Sequence, residues 1–119
     1  MLKKLFMVSA FAVLFAVPAH AAKTAYFSAV NDLPMMQGMV ELPADTVIFD
    51  KPAGRIVEFS ARTAEPQGAI LQFYHESLPP LGWKPVKKGL FVRAHEKLKI
   101  DFGRQMDETL VNFALTPND

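Results

Sequence analysis

The spacing of hydrophobic and polar positions changes several times along the chain, and each change predicts a different element. Leu5 to Val17 is an apolar run interrupted only by Ser9; Lys3 and Lys4 precede it, and Pro18 and Ala19-His20-Ala21 follow. A charged start, a short apolar core and an A-x-A end predict a cleavable signal helix over residues 1–21, cut after Ala21. The run is shorter than the ~20 residues of a spanning helix. No second run follows it, so no stable membrane span is expected after cleavage. With no twin-arginine pair, the expected route is ordinary secretion of an unfolded chain, and the expected location is the periplasm.

Residues 22–45 show no sustained period and contain Pro34 and Pro43. They predict an irregular arm with at most a helical turn near Leu33 to Met36, lying across a single domain formed by residues 46–119. Thr46 to Asp50 reads as a strand, Lys51-Pro52-Ala53-Gly54 as a turn, and Arg55 to Arg62 as a strand in which Val57, Phe59 and Ala61 alternate with Glu58, Ser60 and Arg62. From Pro66 to Leu78 the period becomes helical. Ile70, Phe73, Tyr74, Ser77 and Leu78 share one side, and Pro79-Pro80 prevents continuation. Leu81-Gly82-Trp83 turns the chain, with Trp83 expected against the helix end. Strands are then predicted at Trp83 to Val86, Leu90 to Ala94, Leu98 to Gly103 and Leu110 to Thr116.

Between the middle two of these strands, a three-residue loop, His95-Glu96-Lys97, aligns Leu90, Val92 and Ala94 with Leu98, Ile100 and Phe102. Phe91, Arg93, Lys99 and Asp101 then fall on the opposite face. The predicted fold class is α+β. An antiparallel sheet of about four to six strands carries one amphipathic helix across one face, in β-β-α-β-β-β order with an additional edge strand.

Composition narrows the chemistry. The 119 residues contain no cysteine, which excludes disulfides, thiolate metal sites and a cysteine nucleophile. The formal charge of +1 gives no basic excess of the kind a nucleic-acid binder shows. Removing residues 1–21 lowers the hydrophobic fraction from 50% to about 45%, ordinary for a globular domain, and turns the net charge to −1. That charge is uneven. Lys84 to Arg104 carries seven basic and two acidic residues, net +5, while residues 22–83 and 105–119 each carry −3.

Phe49-Asp50-Lys51-Pro52-Ala53-Gly54-Arg55-Ile56-Val57-Glu58, with Phe73-Tyr74, Leu78-Pro79 and Leu81-Gly82-Trp83 after it, resembles a family of small exported proteobacterial proteins of unknown function. The resemblance spans most of residues 31–116. It implies a compact α+β periplasmic domain, and it brings no catalytic residues with it.

Candidate chemistry is sparse. His75 and His95 each precede a glutamate, but neither is followed by the second histidine of a helical zinc-protease motif. Ser60 and Ser77 lie in no nucleophile-elbow context, and Ser77 on the inward side of the helix reads as a small packing residue. A carboxylate pair would have to join Asp101 to a distant residue such as Glu58. No enzyme activity and no cofactor are therefore expected, although a small enzyme without a recognisable motif stays open. Met35, Met36 and Met39 offer soft thioethers suited to copper(I), or equally adaptable packing for the arm. The favoured expectation is a non-catalytic binding role on the basic hairpin. Arg93, Lys97 and Lys99 around an aromatic centre, Phe91, would meet an acidic envelope protein or an anionic lipid head group. The alternative is a solvated hairpin whose lysines discourage edge pairing.

Overall fold

The computed structural model describes residues 24–118, so the predicted signal helix lies outside the described residues. The chain folds as an α+β protein in which one antiparallel sheet is overlaid by one helix. Its strands are β1 (Val40–Glu41), β2 (Val47–Lys51), β3 (Gly54–Thr63), β4 (Lys84–Lys87), β5 (Leu90–Arg93), β6 (Glu96–Gln105) and β7 (Glu108–Pro117), with the helix α1 (Gln67–Ser77) between β3 and β4. The order across the sheet is β3-β7-β6-β5-β4. Both β1 and β2 pair with β3 on the side away from β7, β1 near its end and β2 near its start.

Register carries the alternation of each strand into a common core. Val57 pairs with Leu115, Phe59 with Phe113 and Ala61 with Val111; on the other side of β7, Leu98 pairs with Leu115 and Ile100 with Phe113. Directly paired residues share a face, so these side chains form one apolar layer, and all of them are buried. Ile70, Tyr74 and Leu78 of α1 close over it, with the Tyr74 ring edge-on to Phe113 at 5.5 Å.

The helix begins where its prolines require. Pro66, the expected first helical residue, instead caps it in an extended conformation, so the helix starts one position later at Gln67, and the Pro66 carbonyl accepts from the N–H groups of Ala69 and Ile70. No side chain caps this end. The buried Thr109 hydroxyl donates to Glu65 O at 2.8 Å instead, tying the segment before the helix to β7. At the other end Pro79–Leu81 tightens into a 3-10 turn. Gly82 takes a φ of +95°, and Trp83 N–H returns to Leu78 O. A left-handed residue there satisfies the last carbonyls and reverses the chain, which puts Trp83 against the helix end as expected, only 2% exposed.

Two expectations are corrected. The arm is largely irregular, as expected, and takes up no helical turn at Leu33 to Met36; Pro34 bridges to Tyr26, and a short strand and a 3-10 turn (Pro43–Asp45) follow. The arm also does more than cover the domain. Phe27, Val30, Leu33 and Met39 are buried, and the Phe27 ring lies 5.0 Å from both Phe59 and Phe113. Residues of the arm therefore complete the layer that one short helix leaves open.

The second correction concerns the β5–β6 hairpin. Arg93 pairs with Glu96, Phe91 with Leu98 and Leu90 with Lys99, so the turn is the two residues Ala94-His95 rather than three. Ala94 adopts φ 52°, the left-handed geometry that a tight hairpin turn demands at the expense of some strain in a non-glycine residue. The physical reason is volume. This register turns Phe91, the larger side chain, into the core beside Leu98, whereas a three-residue loop would bury the smaller Leu90 and Val92. Phe91 is fully buried, and Leu90 and Val92 are half-buried on the opposite face.

Candidate functional site

The corrected register redistributes the basic hairpin between the two sides of the sheet. Arg93 goes with Phe91 to the helix side. There its guanidinium lies 4.3 Å from the Trp83 ring centroid, donates to Leu81 O at 3.2 Å and pairs with Asp32 at 2.7 Å. It ties the arm to the segment after the helix, which is a structural role, so Arg93 and Phe91 are not part of a shared basic surface with Lys97 and Lys99.

The opposite, open face keeps the lysines. Lys84 pairs with Val92 and Val92 with Lys97; in the next row Lys87 pairs with Leu90 and Leu90 with Lys99. Four lysines from two strands, β4 and β6, thus flank two half-buried aliphatic side chains of β5 between them. Lys87, Lys88, Lys97 and Lys99, with Leu90 and Asp101, line a cleft of about 420 Å³. Its only carboxylate, Asp101, is 3.7 Å from the Lys99 ammonium, and both side chains are about 60% exposed. Such a pair contributes little against solvent screening, so the cleft keeps a positive excess.

The β4–β5 turn that forms its rim has a fixed shape. Gly89 is buried at φ +76°, and a Cβ there would lie 2.9 Å from Ile100 O. Its carbonyl accepts from Ile100 N–H at 2.8 Å, while its N–H faces His75 Nε2 at 3.4 Å. His75 packs on Phe91, with ring centroids 4.7 Å apart, whereas His95 is exposed in the β5–β6 turn. These placements give the two histidines separate surroundings. Among the described residues no group of three His, Asp or Glu side chains could hold a metal ion.

Three carboxylates, Asp45, Glu58 and Asp101, line a smaller depression of about 290 Å³ on the same face, together with Ser60 and Asn112. The Ser60 hydroxyl is bonded to Asn112 Oδ1 at 2.7 Å. Sequence reasoning had only the bare possibility of joining Asp101 to Glu58; the pairing of β6 with β7 and of β7 with β3 places them on one surface. Ser77 Oγ is buried without a hydrogen-bond partner, in keeping with its packing role.

The methionines also converge. Met35, Met36 and Met39 line one opening of about 340 Å³ beside Phe73, at the junction of arm and helix. Met39 is buried, and its sulfur lies 3.7 Å from the Tyr74 hydroxyl, which donates to Pro34 O at 2.9 Å.

The chain matches no family model, no curated protein and no solved structure. The reading of the site therefore rests on its own geometry. Among the described residues, no helix is long and apolar enough to cross a membrane. Sequence reasoning found Lys97 and Lys99 but placed them with the wrong neighbours. Lys84, Lys87 and Lys88 show in the sequence only as part of the local charge excess. Alternation across a two-residue turn groups Lys97 and Lys99 on one face with Leu90 and Val92, whereas Lys84 and Lys87, three residues apart, both reach that face only through the register shift between Pro85 and Lys87.

Proposed function

We propose that this protein is an exported, periplasmic, non-catalytic binding module whose open sheet face receives an anionic partner, an acidic envelope protein or an anionic lipid head group. The observation that supports this is the convergence of Lys87, Lys88, Lys97 and Lys99 on one cleft with a single, solvent-screened carboxylate. Leu90 and Val92 between the lysines supply a short apolar floor, so bound anions would be held by several charges around a partly desolvated centre. The small exported family that the chain resembles fits the same location. The test is co-flotation with phosphatidylglycerol vesicles, run beside pull-down from an envelope extract. Association in either arm should weaken as salt rises and disappear in Lys87→Glu/Lys97→Glu/Lys99→Glu, while Lys51→Glu on the far edge leaves it intact. Binding that survives the triple change, or no binding in either arm, refutes the reading.

The shared opening of Met35, Met36 and Met39 favours a second reading, copper(I) handling by thioether sulfur. Copper(I) retained in native mass spectrometry and lost in Met35→Leu/Met36→Leu would support it. Equal retention by that variant would end it.

A further inference from the structure

The two outer edges of the sheet are built differently. At one end β4 carries Lys84, Pro85 and Lys87, and its register is broken between Pro85 and Lys87. A missing N–H, two hydrated charges and a bulge each oppose the addition of another strand. At the other end β2 pairs only with β3, and all five of its residues are exposed. Eight large apolar side chains stay exposed among the described residues, and four of them lie along this edge: Val40, Val47, Ile48 and Phe49.

Successive strand residues point to opposite faces, so Ile48 stands on one side of the sheet and Val47 and Phe49 on the other. An occupant resting on a single face would cover only one of these sets. A strand added beside β2 flanks both and also takes up its unpaired backbone groups.

We infer that β2 is a strand-pairing edge and that its occupant is β2 of a second copy, antiparallel about a twofold axis. The sequence of the edge is self-complementary in one register. Centred on Ile48, the pairing sets Ile48 against its own counterpart, Val47 against the partner's Phe49 and Thr46 against the partner's Asp50. At each end it brings Asp45 towards the partner's Lys51. Asp45 lines the depression on the open face, and the Lys51 ammonium lies 5.8 Å from the Phe49 ring on that same face, so the two charges are on one side. Centring on Phe49 instead would set Ile48 against Asp50 and Val47 against Lys51, mixing apolar with charged positions. A twofold pairing closes at two copies. Pairing β2 with β4 would continue into a filament, and Pro85 and the lysines of β4 oppose it.

The absence of cysteine makes a direct test available. The full chain, purified as the host processes it, is examined by sedimentation velocity across a dilution series. The wild type should be a dimer that dissociates on dilution. Ile48→Lys should be monomeric, with its dissociation constant raised roughly a hundredfold by a charge at the centre of an apolar ladder. Residues facing each other across an antiparallel pair have Cα atoms about 4.5–5.5 Å apart, within disulfide range. Ile48→Cys should therefore cross-link to a covalent dimer under mild oxidation. Val86→Cys, 58% exposed against 59% for Ile48, should not. A wild type that stays monomeric up to millimolar concentration overturns the inference, as does equal cross-linking of the two cysteine variants. Should Ile48→Lys lose the near-ultraviolet signal of folded Trp83, the cysteine pair decides alone.

Discussion

Replacing Phe27 by alanine tests whether the arm belongs to the core. Phe27 is 1% exposed, and its ring lies 5.0 Å from both Phe59 and Phe113, which are themselves stacked at 4.9 Å. Truncation removes the buried ring, its two aromatic contacts and the filler between β3, β7 and the arm. For phenylalanine in a packed core that loss is about 3–5 kcal/mol. The upper half of the range is expected here, because the two neighbouring rings belong to the central paired strands and cannot collapse far into the space. A domain near 100 residues unfolds with an entropy of ~0.2 kcal/mol per degree, so the melting temperature should fall by about 20–25 °C. Differential scanning calorimetry with Tyr26→Ala as the control makes the comparison internal. Tyr26 is the adjacent residue but 51% exposed, and its truncation should shift the midpoint by no more than about 3 °C. A Phe27→Ala midpoint within that same margin would mean that the arm is not seated in the core, and the argument for a shared aromatic layer would fail.

Two further outcomes follow from the same packing. Gly89→Ala should destabilise the chain by about 1–3 kcal/mol in urea unfolding, since its Cβ meets the Ile100 carbonyl at 2.9 Å in a left-handed backbone; Gly103→Ala, whose nearest neighbour is a Leu110 side-chain atom at 3.6 Å, should change stability by less than about 1 kcal/mol. Equal effects would show that the close approach at Gly89 is not rigid. Burial pushes the Tyr74 phenol far above the ordinary tyrosine range, so the folded state holds its proton where the unfolded chain releases it. Its contribution to stability is therefore complete below about pH 10 and is lost as pH rises above that, with a slope of up to ~1.4 kcal/mol per pH unit. Ultraviolet titration should show one tyrosine ionising only together with alkaline unfolding, and Tyr74→Phe should remove that step.

The strands and the helix were legible because their signals are local. Val57, Phe59 and Ala61 alternate with polar residues whatever lies beside them, and Pro66 and Pro79-Pro80 bracket a helical period by steric restriction alone. The hairpin after β4 was not legible to the same degree. Leu90 and Val92 form one apolar set and Phe91 another, so alternation supports either face, and the choice depends on how much volume the core must fill between Leu98 and His75. That choice moved Phe91 and Arg93 out of the candidate site, and the register shift in β4 then set both Lys84 and Lys87 beside the face that holds Leu90 and Val92. The methionine opening was half legible: the three residues are close in sequence, but Phe73 joins them only because the arm runs beside the helix.

The sequence by itself determined the α+β class, the positions of six strands and one helix to within a residue or two, and the concentration of positive charge between Lys84 and Arg104, because periodicity, proline and charge act on neighbouring residues. Tertiary structure alone decided that Phe27 enters the core, that Arg93 spans Trp83 and Asp32, and that the lysines share an open face with an aliphatic floor. Each of those outcomes depends on which surfaces remain uncovered once the long strands β3, β6 and β7 have paired. A short helix leaves part of one face open for the arm to fill, and the bulk of Phe91 then sets which side of the hairpin faces water.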